Sequence, residues 1–131
     1  MKTTDREALE LFCEETEDRL DRISRSLEQL AGSRPVDMEL LHGIFRDTHS
    51  LKSGANLLDL RPVGQLAHKL EDILESIRSG SEAPDQALID ILSAGYGRIG
   101  RMLENLHLLP LLDISKDLSD IDRRLQLRTK K

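Results

Sequence analysis

Apolar residues recur along the whole chain at alternating spacings of three and four, and no segment alternates with the period of two that a half-buried strand requires. This pattern predicts helices throughout. A first helix spans residues 4–31, with Leu9, Cys13, Thr16, Leu20, Ile23, Leu27 and Leu30 in one stripe. Gly32, Ser33, Arg34 and Pro35 end it, with glycine near the C-cap and proline beyond. Asp37 is a natural N-cap for a second helix over 37–58, whose stripe is Leu41, Ile44, Thr48, Leu51, Ala55 and Leu58.

Arg61 and Pro62 mark a break and restart, because proline suits a first helical turn. The third helix, 62–79, carries Val63, Leu66, Leu70, Ile73 and Ile77 inward and stops at Ser79, Gly80 and Ser81. Pro84 opens a fourth, 84–108, through Leu88, Ile91, Leu92, Ile99, Met102, Leu103 and Leu106. Gly95, Gly97 and Gly100 lie within it, each costing up to about 1 kcal/mol against alanine, so a kink or a close helix contact is expected there. Pro110 separates a fifth helix, 111–127, with Leu111, Ile114, Leu118, Ile121 and Leu125 inward. Short links between long helices make sequential neighbours antiparallel. The expected fold is all-α: one domain over 1–131, an antiparallel up-down four-helix bundle with an additional C-terminal helix.

Composition narrows the function. The net charge of −5 argues against nucleic acid as the main partner, since phosphate backbones select basic surfaces. Cys13 is the only cysteine, so no intrachain disulfide can form, and its place in a core stripe makes it a small hydrophobe. The N-terminal segment lacks the apolar run of a signal peptide, and no run reaches the roughly 18 apolar residues of a membrane span. A cytoplasmic protein without a membrane partner is expected. Glu14, Glu15, Glu17 and Asp18 read as a solvated acidic face.

The chemistry concentrates in FRDTHSLKSGANLL, residues 45–58. His49 stands one position past the core residue Thr48, on a flanking stripe with His42, Phe45, Lys52 and Asn56. Lys52 follows one turn later, and Ser53 and Gly54 are small where a better helix former would be ordinary. In the third helix, His68 and Glu71 are one turn apart and flank the stripe of Leu66 and Leu70. A carboxylate accepting a proton from one imidazole nitrogen fixes the tautomer and raises the basicity of the other. Such an arrangement makes a surface histidine a nucleophile, and an adjacent ammonium would meet an arriving anionic group. His42 and His107 have no comparable partners. A metal site of His49, His68 and Glu71 is disfavoured, because the ligands flank different stripes and no helix pairs its histidines at ligand spacing. No Walker loop or glycine-rich nucleotide lid is present.

HSLKSGA resembles the phosphorylation motif of histidine phosphotransfer (HPt) domains, in which lysine follows the histidine by three and small residues follow the lysine. The flanks agree. LFCEETEDRLDRISRSLEQL is similar to the opening of the N-terminal phosphotransfer domain of CheA-type chemotaxis histidine kinases, and LAHKLEDILESIRSG to that family's third helix. The resemblance implies that His49 accepts a phosphoryl group on the ring nitrogen away from the helix. Glu71 would orient the other nitrogen, and Lys52 and His68 would assist through hydrogen bonding and charge. The implied partners are a histidine kinase catalytic domain, in cis or in trans, and a response regulator receiver domain. No cofactor would bind this chain; ATP belongs to the kinase domain and magnesium to the regulator.

A weak, rapidly exchanging interface around His49 would use Phe45, Ser53 and Gly54, with Leu57 or Leu58 beside them. Two positions depart from the family pattern. Ser53 replaces the usual glycine after the lysine, and Asp59 stands where many chemotaxis kinases have a glycine in the turn. The alternative reading is a helical module that docks a receiver domain without accepting phosphate.

Overall fold

A computed structural model of the protein describes residues 3–129, and every regular element among them is helical. In chain order these are α1 (Thr3–Leu30), α2 (Met38–Leu57), α3 (Arg61–Arg78), α4 (Gln86–Glu104), a 3₁₀ segment (Leu106–Leu111) and α5 (Ser115–Thr129). α1 lies against α2 and α4, and α3 against the same two, so the four long helices form a ring with α5 outside against α4. The side chain of Leu111 and the last two lysines lie outside the described residues.

Local chemistry sets the boundaries. The Asp37 carboxylate accepts the backbone N–H of Leu40 at 3.2 Å, and Asp85 that of Leu88 at 3.0 Å, so α2 and α4 both start under a side-chain cap. Pro84 therefore stands outside α4, two residues before it begins. At its other end α4 stops at Glu104, short of the expected 108. Asn105 turns its amide back onto the Arg101 carbonyl at 2.9 Å, and the chain tightens into the 3₁₀ segment that contains Pro110. α5 accordingly starts at Ser115, where Asp113 accepts the Ser115 N–H at 2.9 Å.

The α2–α3 turn is closed by two backbone bonds of the Schellman type: Leu60 N–H to Ala55 O at 2.8 Å and Asp59 N–H to Asn56 O at 3.1 Å. This geometry puts Asp59 at φ +58°, in the left-handed region that favours glycine. The glycine common here in the resembling family thus has a backbone reason, and Asp59 occupies the position at a conformational cost.

The core is aliphatic, with Ile23, Leu27, Leu41, Leu51, Leu66, Leu70, Leu88 and Leu92 almost wholly inaccessible. Phe12, Ala67, Leu74, Ile89 and Tyr96 join the core from outside the expected stripes. Phe12 is buried while its neighbour Cys13 is only half-buried, so α1 is rolled slightly toward Phe12 at its N-terminal end. Gly95 marks the close contact expected in α4: a Cβ there would fall 2.5 Å from Leu70 Cδ2 of α3. α5 contributes Ile121 to the core. Much of its remaining attachment is ionic, through Lys69–Asp122, Arg98–Asp117 and Arg128 with Glu82 and Asp85.

Candidate functional site

The α2 and α3 helices run side by side from the tight turn at residues 58–60, and this places position 49 of one opposite position 71 of the other. His49 Nδ1 lies 3.1 Å from Glu71 Oε2, and Lys52 Nζ donates to Glu71 Oε1 at 2.5 Å. One carboxylate therefore holds two side chains of α2 that are a turn apart. The imidazole remains open, with 66% of its side chain exposed, whereas Glu71 is only 14% exposed. Among the described residues no hydrogen bond reaches His49 Nε2.

Burial by itself would raise the Glu71 carboxyl. The hydrogen bonds and charges of Lys52 and His49 together outweigh burial and hold it below the usual carboxylate range. An ionised carboxylate has no proton to give, so the hydrogen between it and the ring belongs to Nδ1. In the neutral ring Nε2 then carries the free lone pair, on a side chain that is largely exposed. An imidazole held in this way has the tautomer that nucleophilic chemistry at Nε2 requires.

Lys52 differs from its sequence-based role in one respect. Its ammonium is already bonded to Glu71 rather than standing free beside the ring, although two of its three N–H donors remain for another acceptor. His68 does not join this hydrogen-bonded group. It lies on the outer side of α3, 67% exposed, with Nε2 3.7 Å from Asp72, too long for a hydrogen bond. The reason is register: the α3 position that faces His49 is taken by Glu71, and His68 points outward along the same row as Asp72.

The small residues also separate. Ser53 is exposed, but Gly54 is half-buried under α1, where a Cβ would lie 2.6 Å from Phe12 Cε1. Glycine at 54 thus has an internal reason, a close crossing of α1 and α2. Phe45 is half-buried against the core, Leu58 likewise, and Leu57 is 87% exposed. Arg22 of α1 grips Asp47 through two bonds of 3.0 and 3.3 Å, tying the two helices two residues before His49.

A further group went unread in the sequence. Tyr96 of α4 is buried, and its hydroxyl lies 2.6 Å from Thr48 Oγ1, the residue directly before His49. Its place between Leu92 and Ile99, four and three residues away, would have put it on the inward stripe. Among the described residues no group of three or more His, Cys, Asp or Glu could hold a metal ion. Among the described residues no helix is long and apolar enough to cross a membrane.

Comparison with known proteins finds relatives over most of the chain. The chain is 27% identical over 119 residues to the chemotaxis protein CheA of Bacillus subtilis, an alignment covering 91% of this chain and 17% of that protein. It is 34% identical over 86 residues to the gliding motility regulatory protein of Myxococcus xanthus, covering 66% of this chain and 11% of the relative. The chain thus spans less than a fifth of the length of these relatives. Among solved structures, the phosphorylated P1 domain of CheA3 from R. sphaeroides, crystallised in complex with CheY6, superposes with a TM-score of 0.75 at 22% identity, covering 95% of this chain and 97% of that one. The family model described as the Hpt domain matches residues 7–108, a span that holds most of α1, all of α2 to α4, and His49, Lys52 and Glu71. The chain belongs to the Hpt domain family, the histidine phosphotransfer domains.

Proposed function

We propose that His49 accepts a phosphoryl group from the catalytic domain of a histidine kinase and passes it to an aspartate of a response regulator. The observation that carries this reading is the Glu71–His49 bond, which leaves Nε2 nucleophilic on a largely exposed side chain. In the first step the Nε2 lone pair attacks the γ-phosphorus of ATP held by the kinase domain. The bond to the bridging oxygen breaks, and ADP leaves with its electron pair. The Nδ1 proton stays against Glu71, which offsets the positive charge on the ring. In the second step an aspartate oxygen attacks the same phosphorus, the N–P bond breaks, and the electron pair returns to Nε2.

The chain's own part is to present and orient the ring. A Lys52 donor not used by Glu71 would bond a phosphoryl oxygen, and His68, exposed on the neighbouring helix, would add positive charge when protonated. Magnesium would come with the regulator and ATP with the kinase domain. Phe45, Ser53 and the exposed Leu57 would border the contact surface. The ring of helix contacts supports an antiparallel up-down four-helix bundle with α5 appended, and the membrane-free composition suits a cytoplasmic relay.

Labelling tests the reading. Incubation with a kinase catalytic domain and ATP labelled at the γ position should give an acid-labile, base-stable label that is absent in His49→Gln. The label should then move to a receiver domain. Receiver binding by an unlabelled chain would instead establish the docking-only alternative.

A further inference from the structure

His49 is held from the α3 side by a single hydrogen bond, and that bond works only if α2 keeps its rotation about its own axis. Side-chain tips lie about 5–6 Å from a helix axis, so a roll of roughly 10° would carry the imidazole about 1 Å from Glu71. The inward contacts of α2 are made by Leu41, Ile44, Leu51 and Ala55, and aliphatic contacts resist such a roll weakly because they lack direction. Thr48 is the exception within the core, while Lys52–Glu71 and Arg22–Asp47 add directional ties at its edge. Thr48 is fully buried on the inner face, its hydroxyl donates to the Ile44 carbonyl at 2.7 Å, and its oxygen stands 2.6 Å from the Tyr96 hydroxyl.

Thr48 has one proton, and the Ile44 carbonyl takes it. Tyr96 must therefore be the donor in the second bond. Burial pushes the Tyr96 phenol well above its ordinary range, so it retains that proton. α2 and α4 are not neighbours in the ring of helices, and this bond reaches across the core between them. We infer that Tyr96 is a positioning residue for His49, a directional brace that fixes the roll of α2 through Thr48. This rests on the phosphotransfer reading for its functional consequence, but the ring geometry it predicts is independent of that reading.

The test compares Tyr96→Phe, Thr48→Val and the double variant with the parent chain. Three readouts apply: ¹⁵N spectra of the His49 ring, the rate of labelling by phosphoramidate, and the urea midpoint. In that reaction His49 Nε2 bonds to phosphorus, and the ammonium group of zwitterionic phosphoramidate leaves as ammonia with the electron pair of the broken P–N bond, while the Nδ1 proton stays against Glu71. Tyr96→Phe should slow labelling roughly three- to tenfold and move the ring nitrogens away from a pure Nδ1–H tautomer. The double variant, an apolar pair of nearly the same shape, should regain most of the stability but not the rate. Unchanged spectra and rate in Tyr96→Phe overturn the brace, as does a double variant whose rate returns with its stability. A parent chain that takes no label on His49 overturns the phosphotransfer reading instead, and the ring spectra still decide the brace.

Discussion

Glu71 Oε2 lies 3.1 Å from His49 Nδ1 across the gap between α3 and α2. That single contact selects which ring nitrogen is free, and Lys52 on the other carboxylate oxygen keeps the acceptor ionised. Glu71→Gln retains the shape but can present an N–H to the ring, which would favour the wrong tautomer. Labelling of His49 should fall by roughly tenfold or more, with circular dichroism unchanged. A Glu71→Gln variant that labels at the parent rate would remove Glu71 from the mechanism.

The same contact predicts a pH dependence of stability. Glu71 titrates lower in the folded chain than in the unfolded one, where a glutamate has a pKa of about 4.3. The unfolded state therefore binds the proton first as pH falls. The stability contributed by Glu71 is fully present above that unfolded value and is lost as pH drops through the folded one. Urea titrations of the parent and Glu71→Gln should differ most near neutrality and converge in acid.

Gly54→Ala opposes two effects. Alanine favours a helix by up to about 1 kcal/mol over glycine, but its methyl would overlap the buried Phe12 ring. Overpacking of this kind costs about 1–3 kcal/mol, so the net change should be a loss of stability. Combining it with Phe12→Leu should recover part of that loss, measured as the urea midpoint.

Asp59→Gly should stabilise the protein by about 0.5–1 kcal/mol, because the residue sits at φ +58° in the α2–α3 turn. Its ion pair with Arg61 is exposed at both ends and offsets little. The urea midpoint should rise at constant slope; a fall would mean that the aspartate holds the turn by its side chain.

α5 should loosen in salt before the rest of the chain. Its links to α3, α4 and the loop between them include several ion pairs, and the Debye length shrinks to about 3 Å in molar salt. Amide exchange should accelerate in α5 between low and molar salt while α2 and α3 keep their protection.

The helices were legible in the sequence because each stripe, cap and breaker is a local property. The three-and-four spacing, Asp37, Pro62 and Gly80 mark α2 and α3 without reference to any other element. The motif around His49 was legible for the same reason, as a run of residue types along one helix. The end of α4 was not, since Leu106 continues the apolar period while Asn105 already turns the backbone away.

Which residues meet across helices was decided only by packing. Glu71 and His68 are equally well spaced in the sequence, one turn apart on α3, and the register of α3 against α2 brings Glu71 to the ring and turns His68 toward Asp72. Gly54 reads as a small residue beside His49, and only the packing of Phe12 shows it to be a crossing point of α1 and α2. Tyr96 reads as one more large residue until the core joins it to Thr48. Periodicity specifies the face a residue occupies, but the partner on the opposing face depends on how two helices slide and roll against each other, and that is settled by the whole core at once.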